Sequence, residues 1–404
     1  MDFAMQYTEE QEKFRQEVQS WIKETVPENM KSPEDPDDIT PEYFAFWREK
    51  HKDLGARGWL HPTYPKQYGG GGLTIEHESI LQEEFHKNRI PAHFATVNVH
   101  SALLVWGTEE QKQKFLKPML TGQINSWERY TEAQSGSDLA NVQATAVRDG
   151  DEWVLNASNV FCSGVGRPEI LYGMAKTDPD APRHRNLGYF LVPFPHPGVE
   201  IVDHKMTNPG VEHFIYLRDV RVPADHLIGG ETQGWQVSTN AGEQRNVSGI
   251  ATGRRAPCVD AVDAMVAWMQ EHKKAGRELG SDPVVQQVAV EACCEIHTQE
   301  LMHNRARAMH MGGQEMSWEG HNASLFLRGV ALRNGERIRH IYGPYSLLGS
   351  HDPRVPHGGL QDVFQRTNFG RQHAGGSYNI AKVVVARRLG ISRTKERPAA
   401  TARV

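Results

Sequence analysis

Cysteine is scarce in this chain, and the few cysteines do not form a metal-binding pattern. Only four of the 404 residues are cysteine, namely Cys162, Cys258, Cys293 and Cys294. None of them has the paired spacing of a zinc site, and two are adjacent within a helical pattern. We therefore expect reduced thiols, no bound metal, and a reducing location such as the cytoplasm.

Neither sign of charge dominates, and long apolar runs are absent. The formal net charge is −5, which argues against a surface built to bind nucleic acid or an anionic membrane. No stretch approaches the roughly 20 consecutive apolar residues that span a bilayer. Residues 1–18 form an acidic amphipathic segment, unlike a secretory signal. The remaining composition, 38% hydrophobic and 24% charged, indicates a globular protein of two or three domains.

Residues 1–125 are predicted to form an N-terminal helical domain. Apolar residues recur at helical spacing in the first predicted helix, for example at Phe14 and Val18. Further along, Thr108 stands three residues before a glutamine, which is the pattern of a capping box at the start of a helix.

Residues 126–238 are predicted to form a middle β domain. Residues 142–147 alternate in the manner of a strand, and Asp149-Gly150 predicts the turn into a second strand. Four further strand-like runs, punctuated by proline and glycine, cover residues 170–175, 187–193, 199–202 and 214–222. This order predicts a barrel or sandwich and argues against a βαβ repeat.

Residues 239–404 return to the helical period and are predicted to form a C-terminal four-helix bundle. The predicted helices cover residues 240–273, 283–310, 320–348 and 376–389. The pair Asp282-Pro283 gives a strong signal for the start of the second. The whole chain is thus assigned to the α+β class, and a ligand cleft between its layers is expected.

The segment Tyr130-Thr-Glu-Ala-Gln-Ser-Gly-Ser-Asp138 is the most specific part of the sequence. It resembles the signature of the acyl-CoA dehydrogenase family, in which a Thr-Glu pair precedes a loop of small residues. A flavin ring requires hydrogen-bond donors at its pyrimidine edge, and small residues let the backbone approach it closely. The resemblance implies that Thr131 and the backbone of Tyr130 contact the flavin. It places Ser137 near the flavin or the phosphopantetheine of the substrate. A plain surface turn is the alternative.

A second match lies in Asn156-Ala-Ser-Asn-Val-Phe-Cys-Ser-Gly164. The family has an aromatic residue beside the flavin here and, two residues on, a hydroxyl that bonds the ring edge. Phe161 and Ser163 fit these positions in place of the commoner Trp and Thr. Because side chains alternate along a strand, both would lie on one face. The alternative is a strand end with a buried phenylalanine.

Three further segments resemble the family in the same order along the chain. They are residues 107–118, residues 217–235 with their Asp-Val-Arg-Val-Pro run, and residues 377–390, which resemble the last family helix. Unrelated folds would have to reproduce every spacing, so the resemblance implies the acyl-CoA dehydrogenase fold. It also implies FAD as cofactor, an acyl-CoA substrate, and transfer of electrons to an electron-transfer flavoprotein.

The family reaction needs a carboxylate base, and this chain departs from both places where the family carries it. The first place lies just before the last helix, where counting back from Gly390 puts Ala374 in the glutamate position. Its neighbour His373 is an alternative base, because imidazole titrates near neutral pH.

The second place is the start of the first C-terminal helix. Alignment on Arg245 puts Gln244 in the glutamate position and Glu243 one residue earlier, about 100° around the helix. A helix that starts slightly differently would bring Glu243 into place, and we take it as the first candidate for the base. The alternative is a solvated carboxylate favoured by the helix dipole. Arg245 is a candidate substrate-binding or structural residue.

The resemblance also implies an oligomer, a dimer of dimers formed from identical or homologous chains. Arg305 lies on a helix that in the family contributes to binding the FAD pyrophosphate at the dimer contact, although a solvated face is equally compatible with its position. Two alternatives remain open for the function. One is another flavin chemistry on the same fold, that of a monooxygenase, an oxidase or a desulfinase-like enzyme. The other is a non-catalytic partner subunit.

Overall fold

The computed structural model describes residues 6–95, 97–239, 257–274, 277–312, 314 and 317–392. The chain divides into two compact units, one of residues 7–252 and one of residues 253–404 together with residues 1–6. The first unit contains the N-terminal helices and all the strands of the large sheet, and the second is mainly helical. The predicted α+β class is confirmed.

Four helices form most of the N-terminal region. They are α1 (Glu9–Thr25), α2 (Pro41–Ala56), α3 (Ile75–Lys87) and α4 (Asn98–Trp106). Thr8 begins α1 because its hydroxyl accepts the backbone N–H of Gln11 and the Gln11 side chain accepts the N–H of Thr8. These caps fix where the helices begin, and their apolar faces bury a shared core that includes Trp47 and Leu81.

The helical segment after Thr108 is less regular than the sequence predicts. The capping box at Thr108 is present, and α5 (Glu109–Gln111) leads into a π-helical turn (Lys112–Leu116) before α6 (Lys117–Leu120). Pro118 has no N–H to donate and its ring crowds the preceding turn. A locally wider turn accommodates the proline without ending the helix.

The large sheet has eight strands in the order β6-β7-β3-β2-β4-β5-β8, with β1 paired to β4. The strands are β1 (Ser126–Glu128), β2 (Thr145–Asp149), β3 (Glu152–Ser163), β4 (Ile170–Lys176), β5 (Leu187–Pro193), β6 (Val199–Lys205), β7 (Val211–Pro223) and β8 (Leu227–Ile228). The turn between β2 and β3 contains Gly150 at a φ of 62°. Most pairs are antiparallel, so the predicted absence of a βαβ repeat is correct for this sheet.

The second unit contains five described helices and a short strand pair. The helices are α7 (Pro257–Glu271), α8 (Pro283–Met311), α9 (Glu319–Tyr342), α10 (Leu360–Arg371) and α11 (Tyr378–Arg388), and β9 (Lys273–Lys274) pairs with β10 (Arg277–Glu278). The predicted helix over 320–348 ends earlier, because Gly343 adopts a φ of 54° and Pro344 follows it. Residues 240–256 of the first predicted helix lie outside the described residues.

Helix α10 was not predicted from the sequence. Its buried side chains are Gln361, Phe364 and Asn368, so two amides and one ring form its inner face. The Asn368 Nδ2 donates to the carbonyl of Ala331 at 3.0 Å, whereas its Oδ1 and both side-chain polar atoms of Gln361 have no hydrogen-bond partner among the described residues. A face made of amides gives no hydrophobic period, and this explains the missed helix. In the described part of the chain, no helix combines the length and the apolarity that a membrane crossing requires.

Buried histidines are a feature of the N-terminal helical region. The ring of His51 donates from Nε2 to the carbonyl of Pro91 at 2.9 Å, and His61 and His100 contact each other edge to face. Burial lowers the pKa of His51 to about 4 and that of His100 to about 3. Burial likewise holds the pKa of His61 well below its usual value. These rings are therefore neutral in the folded protein near neutral pH.

The buried histidines predict a loss of stability in mild acid. The unfolded chain protonates each histidine near pH 6.5, whereas folded His51 and His100 stay neutral to about pH 4 and pH 3. Below pH 6.5 the unfolded state thus binds more protons than the folded state. The free energy of unfolding therefore decreases as the pH is lowered. Each histidine should contribute about 2 kcal/mol to the loss between pH 7 and pH 5.

Urea denaturation at pH 7, 6 and 5 measures this dependence. The comparison of the wild type with His51→Phe separates the histidine contribution from that of the carboxylates. The variant should lose less stability over this interval, by about 2 kcal/mol. Equal losses in the two proteins would show that His51 is not held neutral.

Candidate functional site

The loop that follows β1 is fixed by a buried carboxylate. Glu132 is 4% exposed, and its two oxygens accept the backbone N–H groups of Gln143 at 2.5 Å and Ala144 at 2.8 Å. The backbones of Glu132 and Ser135 exchange hydrogen bonds in both directions, and the Ser135 hydroxyl donates to the carbonyl of Asp138. The glutamate of the Thr-Glu pair is therefore a structural residue that ties the loop to the start of β2.

Tyr130 directs its side chain into the sheet interior. Its hydroxyl donates to the Tyr189 hydroxyl at 2.9 Å, and its ring meets that of Tyr172 edge to face. The side chain therefore packs against these two tyrosines. The sequence prediction concerned the backbone of Tyr130, which these side-chain contacts leave unchanged.

The two motifs that point to a flavin meet in space although they lie about 30 residues apart in sequence. The Val160 N–H donates to the Thr131 carbonyl at 2.8 Å, and the Asn159 amide approaches the same oxygen at 3.5 Å. The side chain of Thr131 is half-buried. One backbone carbonyl therefore anchors β3 to the loop after β1.

Strand β3 ends in an irregular turn of the backbone. Its pairing with β7 shifts between Asn159 and Cys162, and Phe161 between them adopts a φ of 56°. A non-glycine residue in this conformation is strained by about 1–3 kcal/mol and is found preferentially at functional sites. The Phe161 ring is 52% exposed, so packing within the chain does not offset the strain energy.

Phe161 and Ser163 share one exposed face, as the strand spacing predicts. Cys162 between them is buried on the opposite face. On the exposed face, the Phe161 ring lies edge-on to Phe214, and the Ser163 hydroxyl donates to a Glu212 carboxylate oxygen at 2.8 Å. These contacts bring the candidate flavin residues of β3 next to β7.

Glu212 also lies at this face, although no sequence pattern selects it. Burial raises the pKa of its carboxyl, and the hydrogen bond from Ser163 opposes that effect. While Glu212 accepts the Ser163 hydrogen, that hydrogen is not available to a ligand. Only the register of β3 on β7 places the two side chains together, and this register cannot be read from either strand alone.

Arg129 is a buried cation directly before Tyr130. It is 0% exposed, and burial lowers its pKa to about 10, so it remains charged at neutral pH. Its Nη1 reaches the carbonyl of Met174 at 3.5 Å, whereas Nε and Nη2 have no hydrogen-bond partner among the described residues. The strands pack tightly here, because a Cβ on Gly173 would lie 2.2 Å from the Arg129 carbonyl oxygen. A positive charge is thus fixed behind the loop.

Ser137 is the remaining described candidate of the first unit, and it lies in the loop after β1. Ser137 is exposed, and the neighbouring Asp138 forms an ion pair with Arg183. Glu243 and Arg245 lie outside the described residues. The structure therefore brings together Tyr130, Thr131, Phe161 and Ser163, with Ser137 on the same short loop.

In the second unit, the turn before the last helix is held by an arginine. Gly375 and Gly376 both have positive φ, and Arg328 donates to the carbonyls of Ala374 at 3.1 Å and Gly376 at 2.5 Å. The Ser377 hydroxyl then accepts the Ile380 N–H and begins α11. The position predicted to lack a glutamate side chain is therefore part of a closed turn.

His373 and Arg305 lie apart from this turn's hydrogen bonds. The His373 side chain is exposed, and its backbone N–H donates to the carbonyl of Gly370. Arg305 is also exposed, with its guanidinium carbon 5.9 Å from the ring centre of Trp318. Arg307, two residues on, is 6% exposed. Across the described ranges, no group of three His, Cys, Asp or Glu side chains is arranged to hold a metal ion.

Three family models match the chain in succession. The models for the N-terminal, middle and C-terminal domains of acyl-CoA dehydrogenases match residues 8–123, 129–219 and 232–390. Acyl-CoA dehydrogenase FadE26 of Mycobacterium tuberculosis is 32% identical over 278 residues, which are 67% of this chain and 68% of that protein. Probable acyl-CoA dehydrogenase YngJ of Bacillus subtilis is 26% identical over 399 residues, 96% of this chain and 100% of that one.

Solved structures show the same fold over nearly the whole chain. The steroid acyl-CoA dehydrogenase Tcur3481-Tcur3483 superposes with a TM-score of 0.82 at 24% identity, covering 98% of this chain and 100% of that one. The ChsE4–ChsE5 complex from Mycobacterium tuberculosis gives a TM-score of 0.79 at 25% identity, covering 97% and 100%.

The buried Glu132 carboxylate predicts a large effect on stability. Glu132→Ala removes the acceptor of two backbone N–H groups, one of them on the buried Ala144, and should destabilise the fold by about 2–4 kcal/mol. Glu152→Ala is the matched control in the same sheet. It breaks only an exposed ion pair with Arg221, which water screens, so the loss of stability should be much smaller. Chemical denaturation measures both, and similar losses would contradict the role of Glu132.

Proposed function

Because the chain belongs to the acyl-CoA dehydrogenase family, we propose that it binds FAD and catalyses the α,β-dehydrogenation of an acyl-CoA thioester. The observation that carries the proposal is the hydrogen bond from the Val160 N–H to the Thr131 carbonyl. It joins the two segments that resemble flavin-contacting segments of the family.

The residues at this junction fit a flavin. Phe161 offers a half-exposed aromatic ring on a strained backbone, and the half-buried Thr131 is bonded through its carbonyl to the preceding residue, Val160. The loop with Ser137 consists of small residues that allow close approach of a ring. In the proposal, the Tyr130 backbone, Thr131, Ser137, Phe161 and Ser163 hold the cofactor, and Arg305 binds an FAD pyrophosphate at the contact with a second chain. When bound, FAD supplies the acceptor for the substrate β-hydride.

The buried cation complements this chemistry. The charge of Arg129 favours negative charge on a group bound at Tyr130 and Thr131, the next two residues. Since protein, rather than water, surrounds the guanidinium, solvent screens its field less than that of a surface arginine. A flavin bound at this loop would therefore have a raised reduction potential.

The remaining chemical requirement is a base that accepts the substrate α-proton. We propose Glu243 for this role, with the exposed imidazole of His373 as the alternative, and Ser137 and Arg245 as substrate contacts. Electrons pass onward to an electron-transfer flavoprotein in this proposal. We also propose that the protein is located in the cytoplasm.

An oligomer is part of the proposal. None of the residues of α11 is buried, although the helix carries Ile380 and Val383 among its exposed side chains. Ile391 just beyond it is 77% exposed. Exposed apolar side chains clustered on one helix are stabilised by association with another chain, which supports a dimer or a dimer of dimers.

A second candidate is that the chain is the partner subunit of a hetero-oligomer. Ala374 stands where the family carries one of its glutamates, and its carbonyl is held by Arg328. Both structures compared above, Tcur3481-Tcur3483 and ChsE4–ChsE5, have two-part names, and the second is described as a complex. Flavin bleaching by an acyl-CoA in the chain purified alone would exclude this candidate.

The first test is the spectrum of the purified chain under anaerobic conditions. We expect bound FAD that is bleached by at least one thioester in a series from short linear to steroid-derived acyl-CoAs. Thr131→Val should reduce the flavin content, whereas Glu243→Gln should keep the flavin but slow its reduction by a factor on the order of 10² or more. Unchanged reduction in Glu243→Gln would remove Glu243 as the base. Full flavin content and an unaltered spectrum in Thr131→Val would argue against the site.

The second test measures the reduction potential of the bound flavin. Arg129→Met keeps the side-chain volume but removes the buried charge, so the potential should fall by on the order of 30 mV, equivalent to about 1.4 kcal/mol. The fold should tolerate the change, because an incompletely paired buried ion is replaced by an apolar group. Arg221→Met, an exposed arginine in the same sheet, is the control and should leave the potential unchanged. Equal potentials in the two variants would contradict the role of Arg129.

A further inference from the structure

A small cavity in the N-terminal helical region is lined by four histidines. Its volume is about 40 Å³, and the rings of His51, His61, His93 and His100 lie around it. His61 stacks on His93 with ring centres 4.8 Å apart and meets His100 edge-on at 4.6 Å. The volume admits a few water molecules or one small polar group, and it is far too small for a whole cofactor.

One polar atom in this cavity wall has no partner. His100 is 3% exposed, and its Nδ1 makes no hydrogen bond with any described residue. Buried polar atoms are nearly always satisfied, and an exception calls for a ligand or water that completes it. His100 therefore marks the place where an occupant of the cavity would bind.

The chemistry of the lining selects an uncharged occupant. Burial holds the pKa values of His51, His61 and His100 well below neutrality, so their rings bring no positive charge. Arg48 also lines the cavity, but its guanidinium is bonded to Glu169 at 3.0 Å and to the carbonyl of Gln123 at 2.8 Å. An anion would lack a free counter-charge.

A hydroxyl group fits a neutral imidazole better than a carbonyl does. A neutral histidine has one donor and one acceptor nitrogen, and its tautomer decides which of them is Nδ1. A hydroxyl both donates and accepts, so it satisfies Nδ1 of His100 in either tautomer. A carbonyl satisfies only one of the two.

The cavity adjoins the strands that carry the candidate flavin site. Ser126, which lines it, is the first residue of β1, and that strand leads to Tyr130. Phe94 also lines the cavity, and its carbonyl accepts the N–H of Val165 at 3.0 Å. Val165 lies two residues after Ser163. The cavity and the candidate flavin site are therefore connected through β1 and through the segment after β3, within one unit.

We propose that the histidine cavity binds a hydroxyl group on the distal part of the substrate, so that the substrate is a hydroxylated acyl thioester. The inference rests on the proposed function, since it assumes that an acyl-CoA is the ligand. It adds the specificity-determining role of His100, which forms the hydrogen bond to that hydroxyl.

The test compares matched pairs of thioesters that differ only in a terminal hydroxyl. The ω-hydroxyacyl-CoAs and the plain acyl-CoAs of equal length, from six to twelve carbons, are titrated into the FAD-loaded protein by calorimetry. At the chain length that reaches the cavity, the hydroxylated member should bind at least about ten-fold more tightly, a free-energy difference of about 1.4 kcal/mol. Equal affinity at every length would overturn the inference while leaving the proposed function intact.

Two variants of His100 and one control separate this role from a structural one. His100→Phe should abolish the preference without weakening the plain thioester, and His100→Gln should keep part of it because the amide still bonds. His226→Phe replaces a buried histidine of the same unit whose ring is bonded to Leu191 and which does not line the cavity, so the preference should persist. A preference that survives in His100→Phe would overturn the assignment. Failure of every thioester to bind the wild type would overturn the proposed function and this inference with it.

Discussion

One hydrogen bond, from the Val160 N–H to the Thr131 carbonyl, places the two parts of the candidate flavin site beside each other. It forms where β3 leaves its register with β7, since the shift between Asn159 and Cys162 frees the Val160 amide from the ladder. The same irregularity exposes Phe161 and puts it in a strained conformation. Strand pairing is therefore interrupted at this point, and two segments that are distant in sequence form one surface there.

The surroundings of this bond hold the loop in one shape. Glu132 binds two backbone N–H groups on one side, and Arg129 lies buried on the other side of Tyr130. A loop fixed in this way does not have to be ordered when a ligand binds, so less free energy is lost on binding. The cation behind it gives the site an electrostatic preference that a loop of small residues alone would lack.

Local sequence patterns were sufficient to predict much of the fold. The capping box at Thr108, the Asp149-Gly150 turn and the strand alternation all act over a few residues, so the elements they define were predicted close to their actual bounds. Helix α10 was missed because its inner face is made of amides. The π-helical turn before Pro118 was missed because a proline in a helical pattern does not specify how the helix adapts to it.

In the candidate site, too, some features could be predicted from local sequence and others could not. The residue types of the flavin-like segments were recognisable in sequence, but Glu212 and Arg129 were not, because their roles depend on strand register and on burial. The base stays a prediction for a related reason. A shift of one residue rotates a helical side chain by about 100°, so Glu243 and Gln244 exchange places with a small change in the start of the helix.

The affinity of the Val160→Pro variant for FAD tests the central claim most directly. Proline removes the N–H that bonds Thr131, and it is tolerated at a bulge where the ladder is already interrupted. If the junction forms the flavin site, the sheet should persist by circular dichroism while the dissociation constant for FAD rises at least about ten-fold, a loss of about 1.4 kcal/mol. An unchanged dissociation constant in a folded variant would contradict the account.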